Sequence, residues 1–174
     1  MSTFQDERSD ARVVSLPEPA TMRAVLGHFC TGVAVITGHD GTRPHGFACQ
    51  SVTSVSLDPP YVSFCPAHTS TSWPMIRRGG KLCINVLAVD QRSICATFAT
   101  PGADKFADVS WVPGANGCPV IDGVLASIEA DVEFEHLAGD HAIVVARVTS
   151  LHAHTDRQPL LFYRGGYGGI TLHD

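Results

Sequence analysis

Apolar positions along the chain change their spacing from segment to segment, and each spacing predicts a different element. Over residues 21–29, Met22, Val25, Leu26 and Phe29 recur at helical intervals behind Thr21, which can cap a first turn, so a helix is expected there, closing near Gly32. The spacing then shortens. VAVIT at 33–37, the turn-forming HDGTRP, the stretch 46–60 and YVSFC at 61–65 predict a meander of short strands. Serines and Pro74 open a short helix within 69–80, and Gly79 and Gly80 close it. KLCINVL reads as strand, and residues 90–99 place Ile94, Cys95 and Phe98 partly on one helical face. The stretch 101–119 is broken by glycine and proline and predicts a long connection, a kind of segment that often carries function. The clearest alternation is ASIEADVEFE. Ala126, Ile128, Ala130, Val132 and Phe134 are expected in the core, and Ser127, Glu129, Asp131, Glu133 and Glu135 in water. A LAGD turn and HAIVVARVTSL complete an antiparallel hairpin, and PLLFYRGGYGGITL supplies the last strands. Many short strands with few short helices predict a mainly β, antiparallel barrel or sandwich.

Composition narrows the class. With 174 residues, 44% hydrophobic and 17% charged, the chain is expected to form one domain over 21–174, preceded by a flexible arm over 1–20. A net charge of -5, with the 12 Lys and Arg residues dispersed, argues against nucleic acid as a partner. No apolar run is long enough to span a membrane and no secretory signal opens the chain, so a cytoplasmic protein is expected. The 6 cysteines sit far apart without a C-x-x-C pair and are expected to be reduced. His152 and His154 share a strand face but lack a third ligand, so no metal is assigned.

The chain has no G-x-G-x-x-G after a strand, no P-loop, no G-x-S-x-G and no H-E-x-x-H. What stands out is GFACQSVTSVSLDPP, residues 46–60, where small and hydroxylated residues fall on both parities of a strand. Two readings fit. Short side chains let strands approach at a barrel corner, or they let main-chain N–H and C=O groups come within about 3 Å of a flat heteroaromatic ring such as a flavin.

TGVAVIT, GFACQSVTSVSLDPPYVSFC, STSW, LCINVL, DKF, GCPVIDGVLASIEADV, GDHAIVVARV and PLLFYRGGY, in that order, resemble the short-chain flavin reductase family over about residues 22–172. These are the reductase components of two-component flavin-dependent monooxygenases, and the likeness is greatest to those serving aromatic and steroid-catabolic hydroxylases. The resemblance implies an antiparallel Greek-key split β-barrel, homodimeric, with flavin near the subunit interface. It implies reduction of FMN or FAD by NADH, with reduced flavin passed to a partner monooxygenase. Nothing in the residues separates FMN from FAD, and the resemblance leans slightly to FAD while accepting both. NADH is favoured over NADPH because no arginine cluster meets a 2′-phosphate. A non-catalytic flavin-binding module on the same barrel is the alternative.

Site residues follow from the resemblance. Thr31, Gly32 and the run Ala48, Cys49, Gln50, Ser51, Val52, Thr53 and Ser54, with Cys65, are expected around the flavin ring and ribityl chain. Ser70 and Ser72 stand where the family holds the flavin phosphate, and hydroxyls at a helix start suit an anion, although ordinary capping suits them equally. Lys105 is expected to add charge there while Phe106 packs; Phe98 is expected in the core. His141 is expected against the nicotinamide as the catalytic residue, with Tyr163, Arg164 and Tyr167 near the dinucleotide.

Overall fold

The computed structural model describes residues 16–102, 104–154 and 156–170, so most of the expected N-terminal arm, residues 1–15, lies outside the described residues. The first helix, α1, spans Pro19–Leu26. It begins ahead of Thr21 because Pro19 takes the first helical turn, where its missing N–H costs nothing, and it closes at Gly27 well before Gly32. Thr31–Gly32 form strand β1, followed by β2 (Ala34–His39) and β3 (Pro44–Cys49).

The stretch 46–60 is not one strand. It completes β3, leaves the sheet at residues 50–52, re-enters it as β4 (Thr53–Leu57) and turns through a cis Asp58–Pro59 peptide into β5 (Pro60–Phe64). Its small residues fall on both parities because two strands and a crossing share it. Helix α2 (Trp73–Gly79) leads into β6 (Lys81–Val86), and α3 (Arg92–Ala99) precedes a connection that contains a short strand, β7 (Trp111–Pro113), which its glycines and prolines concealed. Next come β8 (Pro119–Ile121), β9 (Ala126–Ala138), β10 (His141–Ala153), β11 (Leu161–Tyr163) and β12 (Gly166–Gly168).

The main sheet is antiparallel and 7-stranded, in the order β3-β2-β6-β9-β10-β5-β4; β1-β11-β12 form a 3-stranded sheet and β7-β8 a hairpin. Laid flat, the outer strands of such a sheet would be about 29 Å apart at the usual strand spacing. Residues 49–53 join β3 to β4 and span at most about 14 Å. The sheet therefore curls until its edges face each other across a seam that no ladder closes. This is the expected split barrel. Ile36, Phe64, Leu82, Ile84, Ala130 and Val144 fill its interior, with Trp73 and Ile76 of α2 packed among them. Val33, Val35, Leu87, Phe98, Ile121 and Leu160 form a second cluster on the other side of β2, against α3 and the β8 hairpin. Phe98 is core, as expected.

Two expectations for β9 fail. Ser127 and Glu129 are buried, because the segment around β7 and β8 covers that face: both oxygens of the Glu129 carboxylate accept loop amides, from Ala115 at 3.1 Å and Asn116 at 2.6 Å. Phe134 is 48% exposed. Val145 pairs with Phe134 but Ala146 with Val132, so Glu133 bulges out of register where β9 leaves the core. The β11–β12 hairpin turns tightly through two loop residues, Arg164 (φ 49°) and Gly165 (φ 82°), both in the left-handed conformation such turns require. Among the described residues no helix is long and apolar enough to cross a membrane.

Candidate active site

The seam is where the chemistry collects. Residues 50–52 belong to neither flanking ladder, so their main-chain groups are left for other partners. Ser51 pins this crossing: its Oγ accepts the amide of Cys65 at 2.8 Å and lies 3.2 Å from Cys49 Sγ. Burial pushes the Cys49 thiol up from its ordinary value, so it stays protonated and behaves as a small apolar wall.

On one side of the crossing lies a cavity of about 570 Å³. It brings together Ala48, Cys49, Gln50, Ser51, Cys65, Ser70, Ser72, Lys105, His141 and Tyr167, residues drawn from five separate parts of the sequence. On the other side, a cavity of about 580 Å³ is lined by Thr31, Gly32, Val52 and Thr53 and shares Cys49, Gln50 and Ser51 with the first. The Thr31 hydroxyl oxygen is buried there with no hydrogen-bond partner among the described residues. Phe106 lines a further cavity beside α2. Ser54, Tyr163 and Arg164 line none of the three; Tyr163 meets His28 edge-on at 6.3 Å, and Arg164 sits in the hairpin turn with its amide on Gly27 O.

The two serines ahead of α2 have different jobs. Ser70 Oγ accepts the amide of Trp73 at 3.2 Å and so caps the helix. Ser72 is only 8% exposed and its hydroxyl makes no capping bond, although it lines the cavity. Lys105 is neither a solvated loop lysine nor a free charge. Its Nζ donates to Gly46 O at 3.2 Å and Phe98 O at 3.0 Å, which leaves one of its three protons for a ligand, and burial lowers its pKa from the ordinary value.

His141 reaches the same cavity from β10. The strand's start is tied to the segment after β5 by Ala142 N on Pro66 O and by His68 N on Asp140 O. Asp140 Oδ1 lies 2.8 Å from His141 Nδ1, and this bond to the imidazole holds the Asp140 carboxyl below its ordinary range. A ring so held by Nδ1 keeps Nε2 available on its other edge. Tyr167 stands at the α3 end, its ring edge-on to Phe162 at 5.2 Å, with the Arg92 guanidinium 5.1 Å from its centroid. Its hydroxyl is 3.3 Å from Cys95 Sγ, a bond that raises the phenol's pKa.

Sequence reasoning missed Cys95, Phe47, Ala67, Thr69, Thr71 and Pro101 on the cavity wall. Thr69 and Thr71 could have been read from the TSTSW run that carries Ser70 and Ser72; Cys95 could not, because α3 brings it there only through tertiary packing.

The chain is 49% identical over 153 residues to the flavin-dependent monooxygenase reductase subunit HsaB of Rhodococcus jostii, covering 88% of this chain and 78% of that one. It is 46% identical to a flavin reductase of Pseudomonas putida, over 91% of this chain and 94% of that one. Among solved structures, nitrilotriacetate monooxygenase component B from Mycobacterium thermoresistibile superposes with a TM-score of 0.84 at 47% identity, covering 87% of this chain and 86% of that one. The flavin reductase like domain matches residues 26–171, and the chain belongs to that family.

Proposed function

We propose that this chain is an NADH-dependent flavin reductase that reduces FMN or FAD and supplies diffusible reduced flavin to a partner monooxygenase. The observation that carries the reading is the seam: Gln50 and Ser51, whose main-chain groups belong to neither ladder, line a cavity that holds Ser72 and Lys105 as well as His141. A flat ring system laid against this wall meets short side chains and main-chain donors, and its phosphate meets a buried, uncapped hydroxyl and an ammonium group. α2 is under two turns long, so these groups rather than a helix field hold the anion. The orphaned Thr31 hydroxyl is one further partner on the far side of the crossing.

The chemistry is a hydride transfer from nicotinamide C4 to flavin N5, which oxidises NADH and reduces the flavin by two electrons. The chain contributes no nucleophile. Its part is to hold two ligands in contact and to aim N–H donors at the flavin edge on which negative charge grows. His141, fixed by Asp140 at the cavity mouth and 44% exposed at its side chain, is the proposed contact for the reductant. Two exposed apolar groups support the homodimeric reading: Met22, Val25 and Leu26 on α1, where no residue is buried, with Phe29 just beyond it, and Phe134, Leu137 and Ile143 at the far end of the β9–β10 hairpin.

The test is loss of NADH absorbance on adding FMN or FAD. Turnover of many equivalents of free flavin is expected. Flavin binding without NADH loss would make the chain a binding module, and a permanently yellow protein inert toward added flavin would overturn the diffusible-carrier reading.

A further inference from the structure

Cys49, Cys65 and Cys95 all line the flavin cavity, and the proposed reaction uses none of their thiols. Cys95 already has a partner, since its Sγ lies 3.3 Å from the Tyr167 hydroxyl. Cys49 and Cys65 stand on opposite sides of the seam, Cys49 as the last residue of β3 and Cys65 as the first beyond β5. One hydroxyl lies between them. Ser51 Oγ is 3.2 Å from Cys49 Sγ and accepts the Cys65 amide at 2.8 Å. Burial raises the Cys49 pKa, and hydrogen bonds from Ser51 and then from the Cys65 amide oppose the rise, which puts that amide close to the Cys49 sulfur as well. We infer that Cys49 and Cys65 form a redox switch: hydrogen peroxide joins them in a disulfide across the seam, and the wall stays closed to flavin until a thiol reduces it.

The inference rests on the flavin reductase reading above, because that chemistry supplies the oxidant. Reduced flavin that meets dioxygen before a partner enzyme passes it two electrons and two protons, giving oxidised flavin and hydrogen peroxide. Cys65, half-buried on the cavity wall, is attacked first: its sulfur takes one peroxide oxygen to become a sulfenic acid, and water leaves. The Cys49 sulfur then displaces the sulfenic hydroxyl. The S–S bond forms, the S–O bond breaks, and the thiol proton departs with the hydroxyl as a second water. Burial makes Cys49 a poor first target, and its proximity to Cys65 suits it to this resolving step. A disulfide needs Cα atoms within about 7 Å of each other. Cys49 holds the last rung of β3, opposite Ala34, and Cys65 lies one residue past the last rung of β5, so both backbones can adjust to that span. Closing the bond expels the Ser51 hydroxyl from between the two residues and distorts the wall that Gln50 and Ser51 present to the cavity. The switch therefore slows flavin reduction when reduced flavin is not being consumed.

The experiment treats the purified chain with a small molar excess of hydrogen peroxide, removes the excess with catalase, and measures flavin-dependent NADH loss beside a non-reducing peptide map. The wild type is expected to lose about tenfold or more of its rate, to yield a Cys49–Cys65 linked peptide, and to recover within about twofold on dithiothreitol. Saturating FMN during treatment is expected to slow the loss about fivefold, because flavin and disulfide compete for one wall. Cys65→Ser is expected to keep its own starting rate within about twofold, and Cys49→Ala to leave Cys65 as a sulfenic acid that dimedone labels. The map of the wild type needs no variant, so a variant that fails to fold leaves the test standing. A map without the Cys49–Cys65 peptide overturns the inference, whether the thiols stay free or the bond joins Cys83 to Cys118 or two copies through Cys30. So does a loss that dithiothreitol does not reverse, that FMN does not slow, or that Cys65→Ser shares. Absence of NADH loss before any peroxide is added is a separate outcome and removes the reductase reading beneath it.

Discussion

His141 combines an exposed ring edge with a fixed orientation, and the two features together define what its loss should do. His141→Ala leaves the seam and the phosphate end intact, so NADH KM is expected to rise about tenfold while flavin affinity stays within about twofold. Steady-state kinetics with flavin binding measured in parallel checks this, and unchanged NADH kinetics would remove the residue from the site. Asp40 shows a different single-residue effect. Hydrogen bonds from Thr42 and Arg43 and from His45 hold its carboxyl far below the ordinary value of 3.8. A depressed carboxyl stabilises the fold above its unfolded pKa and loses that contribution as pH falls toward the folded one. The difference in melting temperature between wild type and Asp40→Ala is therefore expected to be constant above about pH 5 and to narrow as pH drops through the usual carboxylate range. A gap that widens toward acid would contradict the hydrogen-bonded turn. The serine pair shows what residue types alone leave open: capping and phosphate binding fit both hydroxyls in sequence, and packing gives the cap to Ser70 and leaves Ser72 turned to the cavity.

At the scale of elements, the connection between α3 and β9 depends on one buried charge. Glu129 is 2% exposed and takes the amides of Ala115 and Asn116, and a Cβ on Gly114 would lie 2.8 Å from its carboxylate, so this close approach needs glycine. Glu129→Ala strands two amides and is expected to cost roughly 2–4 kcal/mol, read from the urea midpoint. Because the same connection carries Lys105, flavin KM should rise with it. Burial, with the Glu129 charge second, raises the Cys83 thiol to about 12 and the Cys118 thiol to about 11. Iodoacetamide at about pH 8 is expected to leave both unlabelled in the folded wild type and to reach Cys118 faster in Glu129→Ala, as mass spectrometry would show. The alternation in 126–135 was legible as a strand, but its apparent water face is roofed by a segment that reads only as loop. Amphipathic spacing records which residues share a face, not what later packs on that face.

At the scale of the molecule, the segment of α1 and the turn after it, and the end of the β9–β10 hairpin, leave apolar side chains exposed among the described residues: Leu137 is 83% exposed and Phe29 77%. A second copy of the chain is the proposed cover. Sedimentation is expected to give a dimer for the wild type and a monomer for Leu137→Glu, since a charge in an apolar contact is costly to bury. A monomeric wild type would refute the dimer.

What the sequence determined by itself was most of the strands and helices, the small-residue stretch and, through its motifs, the family, because each depends on neighbours within a few positions. Local spacing could not reveal that 46–60 is two edge strands joined by a crossing, that the seam stays open, or that a second cavity adjoins the first across Ser72 and Lys105. Those follow from closing a seven-stranded sheet on itself: its curl sets residues far apart in the chain side by side, and only that closure decides which polar groups keep their partners and which are left for a ligand.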